Sequence, residues 1–257
     1  MFHRLRKGWP CAALVLAAGL SACGGGTEQA ATPAEPAPLV NPVDPASAGI
    51  ISGRVSFDGA APAPRPIKMS SDPNCEPHEA DAVVETLVVN DGALQNVFVY
   101  MKDGLGTLRF PVPSTPVVLD QEGCRYRPHV LGIQVGQPLE IRNSDPTLHN
   151  VHAMAVANRE FNMGFPVEDM RHTHTFNRPE VLLPFKCDVH GWMRAYVGVV
   201  EHPFHAVTAA DGSFELKGLP PGTYTIEAVH ETLGAKTQTV TIGAKESKEL
   251  AFAFSTT

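Results

Sequence analysis

Residues 185–200 read FKCDVHGWMRAYVGVV. Phe185 and Cys187 stand two apart, as do Met193, Ala195 and Val197, and the short run between the two sets is polar and contains glycine. That is the pattern of two strands joined by a tight loop, with alternate side chains on one face. If Phe185 points into a sandwich core, the Cys187 thiol at the strand's end points there too. The loop then brings His190 and Met193 back beneath the same point. A cysteine alone is usually a small buried hydrophobe, a histidine alone a loop residue and a methionine alone a core filler. Their conjunction as C-x-x-H-x-x-M points instead to a metal.

Working outward, the chain keeps reading as strands. Alternation appears in IISGRVSF from residue 50, in NVFVYM, in IQVGQPLEIRN, in PEVLLPFKC (Val181, Leu183, Phe185, Cys187) and in the C-terminal ELAFAF. Turn signals separate these runs, among them Asp58-Gly59, Asp103-Gly104, Asp211-Gly212 and Pro220-Pro221-Gly222. No stretch keeps a helical period over three turns. The predicted class is all-β, two antiparallel β-sandwiches.

The N-terminus has a different character. Arg4, Arg6 and Lys7 precede an apolar run, Cys11 to Leu20, too short for a permanent membrane span, which reads as a signal peptide over 1–22. Leu20-Ser21-Ala22-Cys23 resembles the lipobox of bacterial lipoproteins, which implies cleavage before Cys23 and its lipidation. Residues 23–49, rich in Pro, Ala and Gly, are expected to be an unstructured tether. The resemblance implies an exported, membrane-anchored chain facing the periplasm. Gly24 in place of an aspartate favours the outer membrane. The 257-residue chain carries a net charge of −7, and the leader contributes only basic residues, so the mature chain is more acidic still. Nucleic acid is an unsuitable partner, and a basic protein surface a better one.

Cys75, Cys124 and Cys187 remain in an oxidising compartment. Cys75 (DPNCEP) and Cys124 (QEGCRY) sit in loop-like settings and are expected to pair, leaving Cys187 free for a metal. Loss of that bridge is expected to cost stability without touching the metal.

Upstream of Cys187 lies SDPTLHNVHAM, with His149 followed by Asn150. A blue copper centre needs two imidazole nitrogens and a thiolate near one plane, with a long axial thioether. CDVHGWMRAYVGVV together with LHNVHAM resembles the cupredoxin family, in its amicyanin- and plastocyanin-like members, over about residues 125–200. The resemblance implies a Greek-key sandwich holding one type 1 copper, with His149, Cys187 and His190 as equatorial ligands and Met193 as the axial one. It also implies that Asn150 braces the cysteine loop. Trp192 would shield the metal or belong to an apolar docking patch beside the exposed edge of His190. His152 is read as structural or on the surface, and His129, His172 and His174 as solvated. The segment from Cys75 to Cys124 has no counterpart in the small cupredoxins.

Residues 206–254 contain DGSF and LPPGTY turns bracketing a short strand. The pair resembles the carboxypeptidase regulatory-like domain, a small transthyretin-like sandwich. ISGRVSFDG resembles that family's first strand, yet lies far upstream. Either a copper domain (102–202) is inserted between the two parts of the regulatory-like sandwich (50–101 and 203–257), or two domains run in series. The likeness of NVFVYMKDG to the family's second strand favours insertion.

The ligand set leaves no open position for a substrate, so the expected role is a one-electron carrier with a redox partner protein in the periplasm, not an enzyme. The alternatives are copper capture or delivery, and a structural surface module with a vestigial site. A Cys187 nucleophile with His190 as base lacks a third orienting group.

Overall fold

The computed structural model describes residues 39–256. The expected leader, the lipidated Cys23 and the tether as far as residue 38 lie outside the described residues. Just before the first strand, Asp44 accepts the backbone N–H groups of Ala46 and Ser47, and Val43 is buried in the first core.

The strands in chain order are β1 (Gly49–Phe57), β2 (Val89–Asn90), β3 (Ala93–Leu94), β4 (Phe98–Asp103), β5 (Val117–Gln121) and β6 (Tyr126–Arg127). Then come β7 (Val130–Gln134), β8 (Pro138–Asn143), β9 (His149–Ala153), β10 (Phe161–Phe165), β11 (Arg171–Thr175) and β12 (Glu180–Lys186). The chain closes with β13 (Arg194–Val200), β14 (His205–Val207), β15 (Ser213–Leu219), β16 (Gly222–His230), β17 (Gly234–Ile242) and β18 (Ser247–Phe254). One 3₁₀ turn, Glu76–His78, is the sole helical piece among the described residues.

The protein is all-β, as the alternation predicts. One sheet runs β15-β1-β3-β2 with β18 also on β1, and faces the sheet β14-β4-β16-β17. Ile51, Val55, Val99, Met101, Leu216, Ile226 and Phe252 fill the space between them. The other two sheets, β10-β9-β12-β13-β7 and β11-β8-β5-β6, enclose Leu119, Ile133, Ile141, Val151, Phe185 and Val197. Most ladders are antiparallel, but β1 with β18, β13 with β7 and β5 with β8 are parallel.

The two turns singled out in the sequence have physical causes. Gly212 adopts a positive φ of 74°, and a Cβ there would stand 2.4 Å from the carbonyl oxygen of Val55. The Tyr224 hydroxyl donates to the Pro220 carbonyl at 2.6 Å, tying the strand back to its own turn.

Strand β4 is apolar on both faces because both are covered. Val99 and Met101 enter the first core, while Phe98 and Tyr100 pack with Val130 and Val200. The Phe98 ring fills a hollow above Gly132 and Gly198, which are register partners on β7 and β13. Beside this contact His129 is buried: Nδ1 pairs with the Arg194 carbonyl, and Nε2 meets the Glu231 carboxylate at 2.5 Å. The expectation that His129 is solvated is corrected, since a carboxylate more than a hundred positions away supplies its partner.

The alternation read through PEVLLPFKC is also interrupted. Leu182 takes a positive φ of 53°, and the β12–β13 register shifts between Glu180 and Leu183. Val181 therefore leaves the face shared by Leu183 and Phe185 and packs with Phe98 and Tyr100.

Candidate metal centre

Strands β9, β12 and β13 pair side by side, and their ends at one pole of the second sandwich carry the predicted residues. Downstream of the bulge, Leu183, Phe185 and Cys187 keep one parity and are all buried. The loop that follows closes on itself: the Cys187 N–H donates to the Met193 carbonyl at 3.2 Å, and the Met193 N–H to the His190 carbonyl at 2.9 Å. The His190 N–H in turn points at the Cys187 sulfur, 3.3 Å away. His149 at the start of β9 comes in from the neighbouring strand.

His149, Cys187 and His190 all turn a donor atom to the same point, with those atoms within 4.8 Å of one another. Each residue is essentially buried, at 0%, 2% and 2% exposure. The two Nδ1 atoms are 2.9 Å apart, and His190 Nδ1 is 3.9 Å from Cys187 Sγ. Metal–nitrogen and metal–sulfur bonds of about 2.0 and 2.3 Å put nitrogen and sulfur on one ion roughly 3.7 Å apart in a plane. Met193 is 1% exposed and shares an apolar cluster with Cys187.

The outer nitrogens are held by two carboxylates that the sequence did not announce. Asp145 accepts the backbone N–H groups of Gly123 and Cys124, each at 2.8 Å, and faces His149 Nε2 at 2.9 Å. Asp72 accepts from the Thr147 hydroxyl at 2.9 Å and the Asn74 N–H at 2.8 Å, and faces His190 Nε2 at 3.0 Å. Burial opposes the charge on Asp145, but hydrogen bonds from His149, Cys124 and Gly123 outweigh it and lower its pKa. As ionised acceptors these carboxylates require each Nε2 to donate, which leaves a lone pair on each Nδ1 of a neutral ring.

Two lone pairs facing at 2.9 Å repel unless a positive charge lies between them. Burial resists charging His149, yet Asp145 and Cys187 together raise its pKa. Burial likewise resists ionising Cys187, but its contacts with His149 and His190 bring its pKa down to about 6. A thiolate and two inward lone pairs fit a soft or borderline transition-metal cation.

Asn150 braces the loop. Its Oδ1 accepts the N–H groups of Asp188 at 2.6 Å and Val189 at 3.3 Å and lies 3.4 Å from Cys187 Sγ. His152 belongs to a surface network, with Nδ1 on Asp188 and Nε2 on Glu160. His172 and His174 are half-buried on β11, and the His174 ring packs against Phe161 and Phe176. That burial corrects the reading of His172 and His174 as solvated.

One expectation about the outer edge is overturned. His190 has no exposed edge: Asp72 and Cys75 lie against its Nε2, and the Trp192 ring packs on it with centroids 5.0 Å apart. Trp192 is half-buried, and its indole N–H donates to the Cys124 carbonyl at 2.9 Å. The Cys75–Cys124 bridge forms as predicted, with a Cα separation of 5.6 Å, and Cys187 is the free thiol among the described residues. It is not remote from the centre: Cys75 Sγ lies 3.7 Å from His190 Nε2.

Asp145 stands four residues before His149 in plain view, but no strand period links an aspartate at that spacing to a histidine ring. Asp72 carried no signal, being 118 positions from His190.

No protein-family model matches the chain, and no curated protein matches it. Among solved structures, it is similar to a copper-containing nitrite reductase from Thermus scotoductus, at 22% identity and a TM-score of 0.33, over 39% of this chain and 26% of that one. It is also similar to a methionine-to-alanine mutant of amicyanin in its Cu(I) form, at 24% identity and a TM-score of 0.30, over 34% and 85% of the two chains. A proline-to-glycine mutant of oxidised amicyanin gives 21% identity and the same TM-score of 0.30, over 39% and 97%. The chain thus spans about a quarter of the reductase. These are weak likenesses, and the metal-binding case stands on the donor geometry alone.

Proposed function

We propose that the protein is a type 1 copper protein that carries single electrons in the periplasm, tethered to the membrane through lipid on Cys23. The observation that carries the reading is the buried convergence of His149 Nδ1, His190 Nδ1 and Cys187 Sγ, with both imidazoles turned inward by carboxylates. His149, Cys187 and His190 would hold the ion, with the Met193 thioether as a weak axial donor. Copper held by one thiolate and two imidazoles supplies a one-electron couple with little change of geometry. This chain's own contribution is to fix the rings, keep water out and present a thiolate near neutral pH. Cys187 is followed by Asp188, whose side chain is 39% exposed, so the chain reaches the surface one residue beyond the sulfur, where a redox partner would dock. The first sandwich fits an accessory module of the regulatory-like type.

One observation favours a second reading, copper capture and delivery. A His190 edge sealed from solvent suits holding an ion better than passing electrons out through that ring. Voltammetry of the copper-loaded protein separates the two. A carrier cycles reversibly at a potential reachable by periplasmic partners, and Met193→Leu raises that potential. A delivery protein instead gives up Cu(I) rapidly to an acceptor chelator.

A further inference from the structure

The chain between Ile67 and Ala82 forms a small structure of its own over the outer side of His190. It is closed at its base by the Ile67 N–H on the Ala82 carbonyl, at 2.9 Å. Glu79 braces its inside by accepting the N–H groups of Met69 and Ser70. Ile67, Met69, Cys75, Ala82 and Cys124 make a separate apolar cluster with Trp192 against it. The carbonyl of Asp72 accepts the N–H groups of Cys75 and Glu76, and its own N–H donates to the Met69 carbonyl at 3.1 Å, so the backbone that carries this carboxylate is fixed on both sides. Its side chain is 18% exposed, and that of the His190 it meets 3%.

From this geometry we propose that Asp72 is a positioning residue for the metal centre. It holds His190 with hydrogen on Nε2 and the Nδ1 lone pair toward Cys187, and it closes the ring's outer edge. Three features support the assignment. The carboxylate is pre-organised by the Thr147 hydroxyl and the Asn74 N–H before it meets the ring. A flipped ring would put carbon where Nε2 now donates, leaving Asp72 with one partner fewer. The arrangement also mirrors Asp145 on His149, so both rings are fixed from behind in the same sense. Carboxylates in that position raise the donor strength of a ligating imidazole and fix its tautomer.

The proposal rests on the copper reading for its affinity and potential, but its primary readout does not. Nitrogen NMR of the metal-free full chain reads the His190 tautomer directly. The native chain is expected to show a single Nε2–H form, and Asp72→Ala a mixture. Cu(I) affinity, by competition with a chelator, should fall about 10- to 100-fold in Asp72→Ala. Asp72→Asn, whose amide oxygen still accepts, should keep the tautomer and bind within a few-fold of the native chain. Because it lacks the negative charge, its potential should rise. Glu79→Gln loosens the same segment without touching His190, and should leave tautomer and potential alone.

A folded, disulfide-bonded Asp72→Ala with native tautomer and affinity overturns the proposal, as does a Glu79→Gln that reproduces all its effects. If Asp72→Ala does not fold, Thr147→Val and Asp72→Asn decide: unchanged tautomer in the first and unchanged potential in the second overturn it. A native chain that takes no copper sinks the copper reading, while the tautomer still decides the role of Asp72.

Discussion

Asn150 Oδ1 accepts the backbone N–H of Asp188 at 2.6 Å, across 38 positions of sequence. The same oxygen takes the Val189 N–H and approaches the Cys187 sulfur, so one side chain fixes the loop on which two of the three facing donors sit. Asn150→Ala leaves part-buried N–H groups without a partner, which costs about 1–3 kcal/mol. Thermal unfolding of the metal-free chain should show the loss, and hydrogen exchange at Asp188 and Val189 should speed up. Unchanged exchange there would mean the loop holds itself.

The disulfide makes a different prediction from the one its sequence position suggests. Replacing Cys75 and Cys124 with alanine should cost about 2–5 kcal/mol. It should also weaken metal binding, because the bridge ties the segment lying against His190 to the backbone whose N–H at position 124 holds Asp145, and alanines leave both free to shift. A denaturant titration and a metal competition on the same variant measure both. Lost stability with native affinity would restore the simpler expectation. A thiol assay on the unfolded, unreduced mature chain should find one free thiol if Cys23 is lipidated.

Gly132 and Gly198 face the Phe98 ring, and a Cβ on Gly198 would stand 2.3 Å from ring carbon. Gly198→Ala therefore overpacks the contact between β4 and the β7–β13 pair, and a loss of about 1–3 kcal/mol is expected. Phe98→Leu in the same chain should recover part of it. Additive losses in the double variant would show that the ring and the glycine do not meet.

His205 on β14 packs against Phe98, with ring centroids 5.8 Å apart. Burial first, and repulsion from His202 second, bring its pKa down from 6.5 to about 4. The unfolded chain therefore takes up a proton between those values that the folded chain refuses. Stability is full above the unfolded value and falls as pH drops through 6.5 toward 4, by on the order of 1–2 kcal/mol at pH 5. Denaturation at pH 7 and pH 5 should show a smaller acid loss in His205→Gln. An equal loss in both chains would place the titrating group elsewhere.

The sequence made legible what depends on neighbours a few positions away. Strand alternation, the turn signals, the parity of Phe185 and Cys187 and the pairing of Cys75 with Cys124 all have such local or combinatorial causes. The bulge at Leu182 was hidden because leucine gives no sign of a left-handed backbone. Asp72 on His190 and Glu231 on His129 were hidden because the fold, and not any spacing, brings those carboxylates to their rings. The same cause closed the outer edge of His190, which the motif alone had left open.

The most direct measurement is a titration of the metal-free chain with Cu(II), followed by visible absorption and electron spin resonance. One copper per chain is expected, with an intense visible band from a copper–thiolate bond that is lost in Cys187→Ser. A native chain that binds no copper, or binds it without the thiolate band, would contradict the type 1 copper reading.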